Sequence, residues 1–164
     1  MAILTNGRVA TRLAITALAL WTQQAMTAHA QDAPHPARTQ TLTSHHDFAT
    51  TVSRLEESVS ARGLTLFADI DQSAAAAQAG TALRPTRLFL FGNPKGGTPA
   101  MQANPHAALE LPLRAVVWQD DRGTTHIDYQ DASGVLGTEY GLPANIVAPL
   151  ATVRALMEGV AAEK

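Results

Sequence analysis

The chain has 164 residues, 46% hydrophobic and 16% charged, with 12 Lys and Arg against 14 Asp and Glu for a net charge of −2. That length fits one domain, and the balanced composition excludes wholesale disorder. The absence of cysteine excludes disulfides, thiolate metal sites, thiol nucleophiles and cysteine-linked lipids, and the lack of a basic excess argues against a nucleic-acid partner.

The N-terminal thirty residues read as a secretory leader. Arg8 and Arg12 precede the apolar run Leu13 to Trp21, and Ala28-His29-Ala30 follows, the three-part pattern of a signal peptide cleaved after Ala30. The run is shorter than the roughly 20 residues of a membrane span, so no stable insertion is expected after cleavage; an uncleaved N-terminal anchor is the alternative. The arginines are not adjacent, which favours general secretion over twin-arginine export. Removal of the leader takes both arginines and no acid, shifting the net charge from −2 to −4. A thiol-free, mildly acidic chain suits a periplasmic or other extracytoplasmic space. Residues 31–38, with two prolines, read as a flexible linker, leaving residues 39–164 as one domain.

Thr39 to Thr43 is a short strand candidate. Phe48, Val52, Leu55 and Val59 then fall on one helical stripe, with Ser44 and Asp47 resembling a capping box and Gly63 placed to end the helix. Leu64 to Ile70 alternates, with Leu64, Leu66, Ala68 and Ile70 on one face and Thr65, Phe67 and Asp69 on the other. Asp71 or Ser73 caps a helix over Ala74–Ala79 that Gly80 stops. Arg87 to Phe91 is apolar on both faces, as in a strand covered on both sides.

Gly92 to Pro99 reads as a turn, with Thr98 capping and Pro99 opening a short helix that ends at Asn104-Pro105. Leu113 to Trp118 and Thr124 to Tyr129 form a hairpin around Asp120-Asp121-Arg122-Gly123. A brief helix follows over Ser133–Tyr140. Leu150, Val153, Met157 and Val160 mark a last amphipathic helix, limited upstream by Pro149. The order predicts an α+β fold: one curved, mostly antiparallel sheet with two long helices packed on one face, plus short helices.

Three motifs carry a family resemblance. Leu66-Phe67-Ala68-Asp69-Ile70-Asp71, then Phe91-Gly92-Asn93-Pro94-Lys95-Gly96-Gly97-Thr98-Pro99, then Leu111-Pro112-Leu113 with Val117-Trp118, resemble the bacterial family known as domain of unknown function 302. The resemblance spans roughly Ser44 to Leu142, and FGNPK is its most specific element. It implies a TATA-binding-protein-like α+β fold and homodimers, and no activity. Gln72 stands where members often have histidine, and Asp131-Ala132 where many have Asp-Pro, so the resemblance bears on fold rather than mechanism.

Four groups are candidate sites. In the Gly92–Pro99 segment, glycine-rich backbone N–H groups, Lys95 and a helix start at Thr98 are suited to an anion; the plainer reading is that Gly92, Gly96 and Gly97 supply positive φ for a tight turn. Asp69 and Asp71 share a strand face and suit a metal or a proton relay, or a helix cap. His45-His46-Asp47 is the one histidine cluster, but adjacent histidines diverge and zinc needs three or four converging ligands; no metal or cofactor is expected. Trp118 and Tyr129 lie on paired strands, where they line a pocket or simply pack.

The reading that follows is an exported domain binding a small molecule or anion, or serving as an accessory domain, without covalent catalysis. Its candidate ligand contacts are Asp71, Asn93, Lys95, Gly96, Gly97, Thr98, Trp118 and Tyr129. Two alternatives stand beside it: an interaction or dimerisation module, and an enzyme with Asp69 or Asp71 as base and Lys95 as electrostatic stabiliser.

Overall fold

The computed structural model describes residues 38–163; the leader and nearly all of the linker expected from the sequence lie outside them. Five strands form one antiparallel sheet in the order β1-β5-β4-β3-β2: β1 Thr39–Thr43, β2 Thr65–Asp71, β3 Thr86–Gly92, β4 Leu113–Gln119 and β5 Thr125–Gln130. Two long helices, α1 (Phe48–Ala61) and α6 (Thr152–Ala161), cover one face. Helices α2 (Gln72–Gln78), α3 (Pro94–Ala103, as long as α6), α4 (Ala132–Thr138) and α5 (Ala144–Val147) fill the connections. The α+β architecture read from the sequence is the one observed.

The core lies between that sheet face and the two helices. Val52, Leu55 and Val59 of α1 and Val153, Leu156, Met157 and Val160 of α6 meet Phe89, Phe91, Ala115, Val117, Ile127 and Tyr129. These are the two helical stripes seen in the sequence, closed on alternate residues of three neighbouring strands. A smaller cluster, built on Ala100, Ala107, Leu136, Leu142 and Leu150, ties α3 to α4 and to the turn before α6.

Several local expectations give way. Asp47, not Ser44, caps α1: its extended backbone sets it directly before the first helical residue, and its carboxylate accepts from Thr50 N at 2.7 Å. Ser44 is buried instead, sharing a 2.8 Å hydrogen bond with the Thr51 hydroxyl. A bulge interrupts β2: Leu66 pairs with Phe91 and Ala68 with Leu90, leaving Phe67 as an extra residue. The extra residue reverses the alternation. Leu66 therefore shares the helix-covered face with Phe91, while Ala68 and Ile70 share the opposite face with Leu90 and Leu88.

Strand β3 is covered on one side only. Phe89 and Phe91 are fully buried, whereas Leu88 and Leu90 are half-buried on the face away from α1 and α6. Arg38, read as linker, is tied down by ion pairs to Glu110 at 3.3 Å and to Glu139. Pro149 limits α6 as expected, but through a 3-10 turn, Ala148–Ala151, that runs into the helix and buries Leu150.

Candidate functional site

The segment expected to be a turn is the start of α3. Asn93 is its cap: the side-chain oxygen accepts from Lys95 N at 2.9 Å, and the Asn93 carbonyl accepts from Gly96 N at 2.9 Å and Gly97 N at 3.0 Å. Three N–H groups that could have held an anion are thus spent on Asn93 itself. Thr98 and Pro99 lie inside the helix rather than at its start. Pro99, the sixth residue of the helix, has no N–H to donate to the Lys95 carbonyl, so that rung of the intrahelical ladder is missing.

Nor do Gly92, Gly96 and Gly97 supply positive φ, which belongs to Gly63, Gly80, Gly123 and Gly141. Their role is steric. A Cβ at Gly97 would stand 3.4 Å from Leu111 Cδ1, and one at Gly92 would stand 4.0 Å from both Phe67 Cε2 and Pro112 Cβ. The missing side chains leave a cavity of about 220 Å³. Pro94, Gly97, Thr98 and Met101 line one wall from a single helical face, at steps of three, one and three. Phe67, at the bulge of β2, and Gly92 with Asn93, at the end of β3, form a second wall; Leu111, Pro112 and Leu113 a third; Leu150 closes the end. The surface is almost wholly carbon, with Asn93 and Thr98 as its polar members.

Of the eight residues expected to contact a ligand, Asn93, Gly97 and Thr98 come together in the lining of this cavity. Lys95 and Gly96 flank it on the same helix, Gly96 facing Pro149. Asp71 is elsewhere. It caps α2, accepting from Ala74 N at 2.8 Å and the Ser73 hydroxyl at 2.7 Å, and the Ser73 and Ala74 bonds hold its pKa below the usual carboxylate value. Asp71 pairs with Arg87 at the start of β3, whereas Lys95 lies beyond Gly92 at its far end. Five residue steps separate Arg87 from Gly92, about 17 Å at 3.3–3.4 Å per step, so the acid-base reading that needs both in one cleft loses its geometry. Asp69 is taken by Arg87 in a two-point ion pair at 2.5 and 2.6 Å, and Glu56 beside it has its pKa raised by burial and by contact with Asp69.

Trp118 and Tyr129 are separated by the sheet itself. Tyr129 pairs with Ala115 and is buried among the helices, and its burial raises the phenol pKa. Trp118 lies on the opposite face, stacked on His126 with ring centres 4.5 Å apart. His126 Nε2 lies 3.1 Å from Asp120, whose carboxylate also accepts from Arg122 N and Thr124 N and so fastens the β4–β5 hairpin. The histidine pair serves as a fastener as well: His45 N donates to Ala161 O, and His46 Nε2 lies 3.0 Å from Ala162 O. Among the described residues no group of three or more His, Asp or Glu is placed to hold a metal ion, and no helix is long and apolar enough to cross a membrane.

A model of the family "Domain of unknown function DUF302" matches residues 40–163. The chain belongs to that family. A crystal structure of an uncharacterized conserved DUF302 protein from Bacillus stearothermophilus superposes with a TM-score of 0.63 at 19% identity, covering 77% of this chain and 97% of that one; the likeness is one of fold. Two curated relatives are longer proteins: fluoride-specific ion channel FluC 1 of Brucella suis and FluC 2 of Brucella melitensis, each 37% identical over 91 residues, or 56% of this chain. The match covers 36% and 34% of their lengths, so the chain spans about a third of the curated relatives it matches.

The sequence reading missed most of the cavity: Phe67, Met101, Leu111 to Leu113 and Leu150. Their residue types signal only burial, and nothing local says that three separate segments leave a gap between them. The usable signal was the run of glycines in a segment that also carries helix-forming spacing, since glycine inside a helix costs stability and is usually there for close packing.

Proposed function

We propose that this DUF302 domain is an exported accessory domain that binds a small, largely apolar molecule in the cavity beside α3, without covalent chemistry. The carbon-lined cavity of about 220 Å³ carries this reading. It exceeds the roughly 150 Å³ that accommodates benzene and is smaller than most drug-sized pockets. Asn93 and Thr98 are its orienting polar groups. Titration of the full chain with 1-hexanol, followed by 1H–15N NMR, tests it: amide shifts should concentrate at Gly92, Gly97, Thr98 and Met101. Gly92→Val, whose added carbons project between Phe67 and Pro112, should abolish them while leaving the remaining spectrum folded. Unchanged spectra in the wild type would remove the reading.

Export rests on the leader pattern of residues 1–30. Mass analysis of the protein recovered from a secreting bacterial host should give a chain beginning at Gln31; an intact N-terminus would count against it.

A second reading, as an interaction module, is favoured by the uncovered sheet face. Ile70 is 41% exposed there, beside half-buried Leu88, Leu90 and Val116. The Brucella relatives, in which the matched part is about a third of a protein named as a fluoride-specific ion channel, support an accessory role beside a membrane protein; a second copy of the chain is the other partner that such a face suits.

A further inference from the structure

Resting on the cavity reading above, we propose that its ligand is a small monocarboxylate, with an apolar body of about five to eight carbons in the cavity and its anionic head at Asn93, Thr98 and Lys95. The body follows from the walls, which offer carbon on every side. The head follows from what the mouth can offer. Asn93 Oδ1 is taken by Lys95 N, which fixes the amide and leaves Nδ2, a two-proton donor, without a partner among the described residues; the Thr98 hydroxyl is equally uncommitted. The Asn93 carbonyl is already engaged by Gly96 and Gly97. Both free side-chain groups can donate, so the complementary ligand group is an acceptor.

Charge narrows the class. None of the residues lining the cavity is charged, and Lys95 is the sole Lys, Arg, Asp or Glu between Gly92 and Leu109. Lys95 is exposed and lies three residues before Thr98, about 60° round the helix at 100° per residue, so its side chain leaves the helix beside the lining face and keeps its charge in water. One cation and two neutral donors suit a single negative charge, whereas a phosphate or a dicarboxylate calls for more. The head is held by side chains rather than by the helix end, because the first-turn N–H groups are spent on Asn93.

The test compares sodium hexanoate, 1-hexanol and sodium acetate on the full chain, wild type and Lys95→Gln, by 1H–15N NMR. Hexanoate is expected to bind about three- to fivefold more tightly than 1-hexanol, the scale of an exposed ion pair. Acetate should give no shift at the same concentration. The preference should vanish in Lys95→Gln and shrink in half-molar salt. Equal binding of hexanoate and 1-hexanol by the wild type overturns the carboxylate assignment and leaves the cavity reading standing, whereas failure of 1-hexanol removes the cavity reading itself. Acetate binding as well as hexanoate, or a preference that survives Lys95→Gln, overturns the assignment too.

Discussion

Four side chains, Arg38, Arg114, Gln130 and Tyr140, converge on Glu110. It is 7% exposed and accepts from the Tyr140 hydroxyl at 2.8 Å, Gln130 Nε2 at 2.7 Å, Arg38 at 3.3 Å and Arg114 at 3.4 Å. Burial would push its carboxyl pKa up, but the Tyr140 and Gln130 hydrogen bonds and the two guanidinium groups outweigh it and hold the pKa below the usual value. A depressed folded pKa contributes stability that is fully present above the ordinary carboxyl range and lost as pH falls through the folded value. Glu110→Ala leaves the Gln130 amide and the Tyr140 phenol without their acceptor, while Arg38 keeps Glu139 and Arg114 keeps Leu109 O and Gln130 Oε1, so it should cost about 2 kcal/mol at pH 7. Urea unfolding at pH 7 and pH 3 checks this: the gap between wild type and variant should narrow at the lower pH, and a gap independent of pH would show that packing, not charge, is what Glu110 supplies.

At the scale of elements, α3 decides the site, and its start was displaced by five residues from the sequence expectation. Thr-Pro is a strong start signal, yet Asn-Pro five residues earlier carries the same signal, and Asn93 sits where β3 ends with an extended backbone. The earlier start places Gly97 inside the helix, against Leu111, a contact that a helix beginning at Thr98 would leave to a turn. Asn93→Ala should therefore cost about 1 kcal/mol, the usual loss for an N-cap. Thr98→Ala, at an exposed position inside the helix, should change stability by no more than about 0.5 kcal/mol. Denaturant midpoints of the two variants decide the matter; a larger loss at Thr98 would restore the later start.

Over the whole molecule, the single-sided cover of the sheet governs which substitutions the fold tolerates. Val116 and Val117 are neighbours in β4, but Val117 is fully buried under the helices and Val116 is half-buried on the open face opposite Leu88. Val117→Lys buries an unpaired ammonium and should cost more than about 4 kcal/mol. Val116→Lys keeps its charge in water and should cost about 1 kcal/mol or less. Thermal unfolding of both variants tests this, and similar losses would mean that the second face is covered after all. If a second copy of the chain occupies that face, Val116→Lys should also shift the sedimentation coefficient towards the monomer. A wild type that sediments as a monomer at micromolar concentration would leave only a different partner for it.

The sequence by itself determined the core helices, the hairpin and the succession of strands and helices along the chain, because these are written in local periodicity: the stripe from Phe48 to Val59, the stripe from Leu150 to Val160, and the Asp120–Gly123 turn. It also marked the FGNPK segment as the place to look. Tertiary structure decided what that segment is. Whether Gly92 and Gly97 bend the chain or leave room depends on Phe67, Leu111 and Pro112, which arrive from other elements. Whether Trp118 and Tyr129 meet depends on strand parity, and the parity of β2 turns on one bulged residue at Phe67. A gap between packed segments has no counterpart in any one stretch of chain, since it is made by the distance at which side chains from several elements stop.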